Sequence, residues 1–347
     1  MQVLTLWKKF DFKPHLFFDI FKIFCKPCQA EPFETYENQE EAVKRNGFHF
    51  GVVHYASFPD IITGGGSVAA TLEKIIQIDE VQVVEITWVK DKEERERVKN
   101  LLHSWKGIVV YSGAPILALT QKSLCSLDDH LRNDSVEMGK EIIDQACEFR
   151  ASSVLLTSGP DPGSEGRNKA RILLTESLDR LLNYARVASE QLMVTLEPAD
   201  RDIHRRQLIG PISESVEVVR NLKGHHPNFG LTIDMSHLAQ LGEDKSQALR
   251  IARGNFRHVH IANAIIKNRD NPRFGDEHPR FGIEHGEYNQ ESIVEFLRDL
   301  KRINFFPEKA LPSGPIVSIE IKPDKDEVPY ALLIESIDTF LRACLAA

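Results

Sequence analysis

Short apolar runs alternate with longer segments of helical periodicity from Gly47 to the carboxyl end of this 347-residue chain. Eight runs have the length and the β-branched or apolar content of buried strands. They cover residues 48–55, 81–88, 107–112, 153–158, 192–197, 230–234, 256–261 and 316–321. Nearly continuous apolar strands of this kind are typical of a parallel sheet that is covered by helices.

Helical patterns lie between these runs and place apolar residues three and four positions apart. The clearest patterns cover residues 92–105, 127–150, 169–190, 212–222, 290–303 and 330–343. Ser126 and Asn289 precede two of them, and each offers a side-chain oxygen to the amides of a first helical turn. Eight strands with intervening helices predict one (β/α)8 barrel, a TIM barrel, over residues 47–347, whereas an open doubly wound sheet would usually have fewer strands and a glycine-rich phosphate loop.

Residues 1–46 lie outside this repeat and are interpreted as an extension or docking arm. Phenylalanines alternate with five lysines and two aspartates in the first 28 residues. Asp19 and Lys22 interrupt the apolar stretch, which is therefore too short and too charged for a stable membrane span. The alternation of aromatic and basic residues leaves a helix on a membrane surface as an alternative.

Composition narrows the class of partner. The chain has 42% hydrophobic and 27% charged residues, which is ordinary for a soluble globular protein. A formal charge of -8 argues against nucleic acid, because binding to the phosphate backbone depends on clustered Lys and Arg. A small neutral substrate fits better. Five scattered cysteines do not form a disulfide framework and favour a reducing compartment, for which the cytoplasm is the default.

Polar residues close four of the predicted strands, at the barrel end where active sites of this architecture lie. Glu197 ends the fifth strand and Asp234 the sixth, His260 lies in the seventh, and Glu320 lies in the eighth. Burial of three carboxylates together would cost several kcal/mol each without a cation, so a shared metal is the simplest explanation. Three carboxylates and one imidazole suit Mn, Mg or Co, and Zn is a further alternative.

His258 competes with His260 for the role of ligand. The two residues are two positions apart on one strand, so both side chains point to the same side, and only their depth in the barrel separates them. The residues alone leave this choice open.

The motifs LEP, DMSH, HVHIAN and IEIKP resemble those of the xylose isomerase-like barrel superfamily, which includes sugar isomerases and epimerases of the tagatose 3-epimerase type. The resemblance covers residues 47–347. It implies one divalent metal, most often manganese, on Glu197, Asp234, His260 and Glu320. It also implies that Glu197 and Glu320 act as acid and base on opposite faces of a carbohydrate substrate. Barrels of this superfamily often pair, so a homo-oligomer stays open.

The same resemblance implies a set of substrate contacts. His237 is the histidine of the DMSH motif, and Asp276, His278 and Arg280 lie in a segment that resembles the loop closing over the sugar in the superfamily. The loop between His260 and Glu320 is longer than in many members of the superfamily, which indicates a role in specificity. His54 and Trp88, near the ends of the first two strands, are predicted to line the pocket, with a structural role as the alternative.

Proton transfer beside a carbonyl, through an enediolate, is the leading hypothesis for the reaction. The same metal and base could instead expel a leaving group, as a lyase that dehydrates an inosose or cleaves a carbon-linked glycoside. A barrel that only senses a sugar is a third reading. Hydrolysis of abasic DNA, as by endonuclease IV, fits least well because the early strands lack that enzyme's extra histidines.

Overall fold

A computed structural model describes residues 47–306 and 314–347 of the protein. Eight parallel strands close into one barrel in chain order, with β8 hydrogen-bonded to β1. The prediction of a (β/α)8 barrel is confirmed. The strands are β1 (His49–Val53), β2 (Val83–Ile86), β3 (Ile108–Ser112), β4 (Ser153–Leu156), β5 (Met193–Leu196), β6 (Phe229–Asp234), β7 (Phe256–Ala262) and β8 (Ile316–Glu320).

Eleven α-helices lie between and after the strands in the described part of the chain. They are α1 (His54–Ser57), α2 (Val68–Ile76), α3 (Lys92–Ser104), α4 (Ala114–Leu119), α5 (Asp129–Glu148), α6 (Arg167–Ala188), α7 (Ile212–Lys223), α8 (Met235–Gln240), α9 (Lys245–Ala252), α10 (Gln290–Arg302) and α11 (Pro329–Ala346). The six predicted helices are present to within a few residues. The five that were not predicted have at most nine residues each, which is too short for a distinct helical period.

One of the two predicted helix caps is displaced. Asn289 caps α10 as expected, because its side-chain oxygen accepts a hydrogen bond from the Ser292 amide. Before α5 the cap is Asp128 and not Ser126: the Asp128 carboxylate accepts from two first-turn amides. The Ser126 hydroxyl instead accepts from the Asp128 amide at 3.1 Å, one step earlier in the same turn.

The strands are buried on both faces, as their apolar sequences require. Inside the barrel the packing is tight enough to demand a glycine at position 51. A Cβ atom there would lie 2.5 Å from the Ser318 hydroxyl oxygen and 2.8 Å from the Val83 Cβ. Toward the carboxyl ends of the strands the barrel interior becomes polar. Thr232 donates to the Thr195 hydroxyl at 2.8 Å. The buried side chains of Glu85, His258 and His260 lie in the same polar part of the interior.

Residues 1–46, the predicted extension, lie outside the described residues. Among the helices that are described, none has the length and apolar character needed to cross a membrane.

Candidate active site

Four side chains converge at the carboxyl ends of β5 to β8. Glu197 directly follows β5, Asp234 ends β6, His260 lies within β7 and Glu320 ends β8. Strand register aligns them, because Asp234 pairs with His260 and Ala262 pairs with Glu320. One ligand atom from each residue lies within 4.8 Å of the others. We call these residues the four-residue cluster; they are the same four that the sequence indicates.

His260 is the centre of the four-residue cluster. Its Nδ1 atom lies 2.9 Å from Glu320 Oε2, 3.2 Å from Glu197 Oε1 and 3.9 Å from Asp234 Oδ2. One ring nitrogen thus faces three carboxylates. A single cation could replace the proton between these atoms with little rearrangement.

An unpaired carboxylate oxygen of Asp234 is a second reason why these residues fit a divalent cation. Asp234 Oδ1 accepts a hydrogen bond from the Ser236 amide, but Asp234 Oδ2 is buried without a hydrogen-bond partner. A buried carboxylate oxygen without a partner is costly, and its position beside the His260 Nδ1 and two further carboxylates leaves it free to bind a metal. Three carboxylate oxygens and an imidazole nitrogen are a mixed O/N set that Mn, Mg, Co and Zn all accept.

The pKa shifts show which neighbouring groups act on each of these side chains. Burial lowers the pKa of His260, but Glu85 and Glu320 outweigh it and hold the His260 pKa well above its ordinary value. Burial also raises the pKa of Glu197. Burial acts in the same direction on Glu320, but there the positive charge of His278 and His260 prevails and the Glu320 pKa is lowered. The two glutamates therefore have different environments although they share one site.

His258 lies beside the four-residue cluster but not in it. Its Nε2 atom is 2.8 Å from the Ser318 hydroxyl, and burial holds the His258 pKa well below its ordinary value. Its Nδ1 atom is 3.8 Å from Glu85 and has no hydrogen bond. The geometry thus favours His260 as the ligand, as the resemblance implies.

Glu85, which the sequence patterns do not indicate, is fully buried on β2. Glu85 Oε2 lies 2.9 Å from His260 Nε2, so the imidazole has a carboxylate on each ring nitrogen. Tyr55 donates to Glu85 Oε1 at 2.8 Å and holds the carboxylate in place. Glu85 is the polar residue of the otherwise apolar run VVEI on β2. It lies within the strand, whereas the other candidate residues are recognised by their position at strand ends.

A second polar group lies next to the four-residue cluster and is built around Asp276. Asp276 Oδ1 is 2.9 Å from His237 Nε2 and 3.3 Å from His278 Nε2, and His278 Nε2 is 3.6 Å from Glu320 Oε1. His237 Nδ1 donates to the Pro198 carbonyl at 2.8 Å. The structure therefore brings His237, Asp276 and His278 to the site, as proposed from sequence.

Arg205 completes this group and was not predicted. Its guanidinium pairs with the other oxygen of Asp276. Burial alone would raise the pKa of Asp276, but Arg205, His278 and His237 together hold that pKa well below its usual range. Arg205 lies in the loop after β5, 71 residues from Asp276, and no local pattern connects the two.

The two groups open into a cavity of about 990 Å³. Its wall includes Glu197, Glu320, His237, Asp276 and His278. This volume is at the upper end of the roughly 300–1,000 Å³ range of small-molecule pockets.

Three predicted substrate contacts are not in that wall. His54 is buried against Phe58, with its Nε2 atom 2.8 Å from the Thr71 hydroxyl, because its neighbour Tyr55 takes the inward direction. Trp88 lies two residues beyond the end of β2, and the Lys90 amino group is 4.0 Å from the centroid of its ring. Arg280 is half exposed and pairs with Glu327 at 3.4 Å.

Comparison with known proteins gives the class that this fold and site define. A family model described as xylose isomerase-like TIM barrel matches residues 76–344. The chain belongs to that family, and the resemblance seen in the motifs is confirmed. No curated protein matches the sequence.

Solved structures share the fold at low sequence identity. A D-tagatose 3-epimerase-like protein is 20% identical with a TM-score of 0.62, and the match covers 86% of this chain and 100% of that one. The 3-keto-D-glucoside 4-epimerase from E. coli is 16% identical with a TM-score of 0.58, over 85% and 99% of the two chains. The IolI protein, solved with a zinc atom, is 15% identical with a TM-score of 0.61, over 86% and 96%. At these identities the likeness shows the fold alone.

Proposed function

We propose that the protein is a divalent-metal-dependent sugar isomerase or epimerase in which Glu197 and Glu320 transfer a proton beside a substrate carbonyl. The observation that carries the proposal is the approach of these two carboxylates to one buried imidazole at the base of a large cavity. The epimerases among the structurally similar proteins support the same reaction class.

The four-residue cluster would hold the cation, with His260 binding through Nδ1. Manganese is our first choice for this hard O/N donor set, and magnesium, cobalt and zinc are alternatives. The zinc atom of the IolI protein supports a divalent metal in a barrel of this kind. A bound divalent cation would polarise a substrate carbonyl and its neighbouring hydroxyl and so acidify the hydrogen on the carbon between them.

The two glutamates have the placement that proton transfer requires. β5 and β8 are three positions apart in an eight-strand barrel, so Glu197 and Glu320 reach the site from different sides of it. One carboxylate removes the proton from carbon to give an enediolate, and the other returns a proton from its own side. Return to the same carbon inverts it, whereas return to the neighbouring carbon moves the carbonyl.

The Asp276 group would orient the substrate. Glu320 Oε1 lies 3.6 Å from His278 Nε2, which connects this group to the proposed acid–base pair. His278 also lines the cavity, and its buried Nδ1 has no hydrogen-bond partner among the described residues. Arg205 keeps Asp276 ionised, so Asp276 can hold the imidazoles of His237 and His278 in fixed positions.

The test is a metal-loaded assay in heavy water against ketoses, aldoses and keto-inositols, with deuterium incorporation read by NMR. We expect exchange at one carbon in the native protein and its loss in both Glu197→Gln and Glu320→Gln. The matched control is Glu73→Gln, an exposed glutamate on α2, which should keep full exchange.

Further measurements on the same metal-loaded protein separate the alternatives. A product with a new double bond and ultraviolet absorbance would identify a lyase. Metal binding and sugar binding without exchange would identify a sensor. Cleavage of abasic DNA would identify a hydrolase. The ion pair between Asp276 and Arg205 disfavours this alternative, because the negative charge of Asp276 is already balanced by the guanidinium and is not left to bind a metal.

A further inference from the structure

The cavity has two chemically different sides. The proposed metal ligands come from β5 to β8, whereas another part of the wall is built from segments that follow β1 and β3. There the wall includes apolar side chains from α4, from the segment that leads into α5 and its first turn, and from the loop before α2, interspersed with polar residues such as Gln121, Lys122 and Asp128. We call this the apolar wall; its main residues are Ile62, Pro115, Leu117, Leu119, Leu127 and Leu131.

Two of these side chains are unusually exposed for their type. Leu119 is 49% exposed and Leu127 is 41% exposed, and both border the same cavity as the four-residue cluster. Large apolar side chains gain free energy when they leave water, so a cluster of them beside an active site marks a surface that a ligand covers. Polyhydroxylated sugar rings gain little from such a surface.

The Lys and Arg side chains around the cavity are already paired with carboxylates. Three Lys or Arg side chains of the described residues line it, and each is paired with a carboxylate: Lys122 with Asp134 at 3.5 Å, Arg205 with Asp276, and Lys322 with Glu277. A sugar phosphate would require a free cation or a helix terminus aimed at it. These pairs instead favour an uncharged ligand.

We infer that the substrate is an uncharged sugar bearing an apolar substituent, such as an aryl aglycone, and that the apolar wall binds this substituent. The inference rests on the proposed function for the position of the sugar ring at Glu197 and Glu320. A glycoside has a blocked anomeric carbon, so the carbonyl that the proposed reaction needs must lie on another ring carbon.

Calorimetric titration of the metal-loaded full chain tests this with unreactive probes. The probes are matched pairs of p-nitrophenyl and methyl glycosides of glucose, galactose and mannose. In at least one pair we expect the aryl glycoside to bind at least about tenfold more tightly, because only it buries apolar area on the wall. The double variant Leu119→Ser/Leu127→Ser should reduce that ratio to about twofold or less.

A matched control comes from α6. Ile172 is 62% exposed and does not line the cavity, so Ile172→Ser should leave the ratio unchanged. The inference is overturned if no pair shows an aryl preference, if neither member of any pair binds, or if the double variant keeps the native ratio. A double variant that changes only the oligomeric state on gel filtration would show that a second copy of the chain covers the wall, and would also overturn it.

The outcomes separate this inference from the proposed function. An aryl preference without deuterium exchange on any carbonyl substrate would retain the apolar wall as a binding surface and refute the isomerase proposal. Exchange on a free ketose without any aryl preference would support the isomerase proposal and refute the apolar wall as a binding surface for the substituent.

Discussion

Glu85 Oε2 lies 2.9 Å from His260 Nε2, and this contact turns the opposite ring nitrogen toward Glu197, Asp234 and Glu320. A carboxylate on the far side of a ligating histidine fixes both the ring orientation and the tautomer that leaves the near nitrogen free for a metal. Tyr55 in turn orients Glu85. Glu85 and Tyr55, inside the barrel, thus fix the orientation of the proposed metal ligand His260.

Replacement of Glu85 should weaken metal binding more than it weakens the fold. The variant Glu85→Gln keeps the side-chain volume but removes the charge that holds the His260 proton on Nε2. We expect Mn²⁺ affinity to fall by about 10- to 100-fold in a calorimetric titration. The exposed Glu73→Gln on α2 serves as the control. Native affinity in Glu85→Gln would show that His260 does not depend on this contact.

Asp234→Asn should have opposite effects with and without metal. Without metal, the change removes one of three adjacent buried carboxylates, and asparagine can still accept the Ser236 amide as a helix cap. We therefore expect an unfolding free energy equal to or above that of the metal-free native chain. At 100 times the Kd, Mn²⁺ should stabilise the native chain by about 2.7 kcal/mol and the variant much less.

Urea denaturation with and without Mn²⁺ measures both parts of this prediction. Equal stabilisation of the variant and the native chain would place the metal elsewhere. A metal-free variant that is less stable than the metal-free native chain would mean that the Asp234 carboxylate already stabilises the fold without metal, through the imidazole of His260 at 3.9 Å.

The strand order and the four-residue cluster could be read from the sequence because both depend on local patterns. Apolar runs of strand length mark the barrel, and a carboxylate or histidine at a strand end marks its mouth. Glu85 could not be found in this way, since its partner His260 is 175 residues away and only barrel closure brings them together. The same holds for Arg205 and Asp276.

His54 shows how one residue of register decides a site. The sequence pattern places His54 and Tyr55 together at the end of the first strand, but β1 ends at Val53 and both residues lie on α1. Successive side chains of a helix point in different directions, so only one of the two faces the interior. Tyr55 takes that direction and His54 packs outside it. The sequence therefore indicates His54 as a pocket residue, because histidine is a common functional residue at a strand end. The neighbouring Tyr55, which does contact Glu85, is not indicated.

The buried position of His54 predicts a pH dependence of stability. Burial lowers the pKa of His54 from 6.5 to about 3, so the unfolded chain binds a proton between these values and the folded chain does not. This contribution is fully present above pH 6.5 and is lost as pH falls toward 3. His54→Gln, which can still bond to Thr71, should be less sensitive over this window, by on the order of a few kcal/mol.

Urea unfolding of both proteins at steps from pH 7.5 to pH 4 measures this difference. Parallel curves for the native chain and His54→Gln would exclude His54 as the group responsible. The exposed His130 on α5 provides a control, because His130→Gln should follow the native curve.

Gly51→Ala tests the packing inside the barrel. The added Cβ would lie 2.5 Å from the Ser318 hydroxyl oxygen and 2.8 Å from the Val83 Cβ, distances that β1 can relieve only by moving against β2 and β8. Overpacking of this kind costs about 1–3 kcal/mol.

Because Ser318 also contacts His258 at 2.8 Å, the shift should extend toward the site and lower Mn²⁺ affinity as well. The control is Gly224→Ala at the end of α7, where no atom lies within 4 Å of the added Cβ and the backbone is helical. It should keep the native Mn²⁺ affinity and unfold at or slightly above the native urea midpoint, because alanine stabilises such a position by about 0.4–1 kcal/mol relative to glycine. If Gly51→Ala unfolds at the native urea midpoint, β1 has more freedom to move than this packing allows.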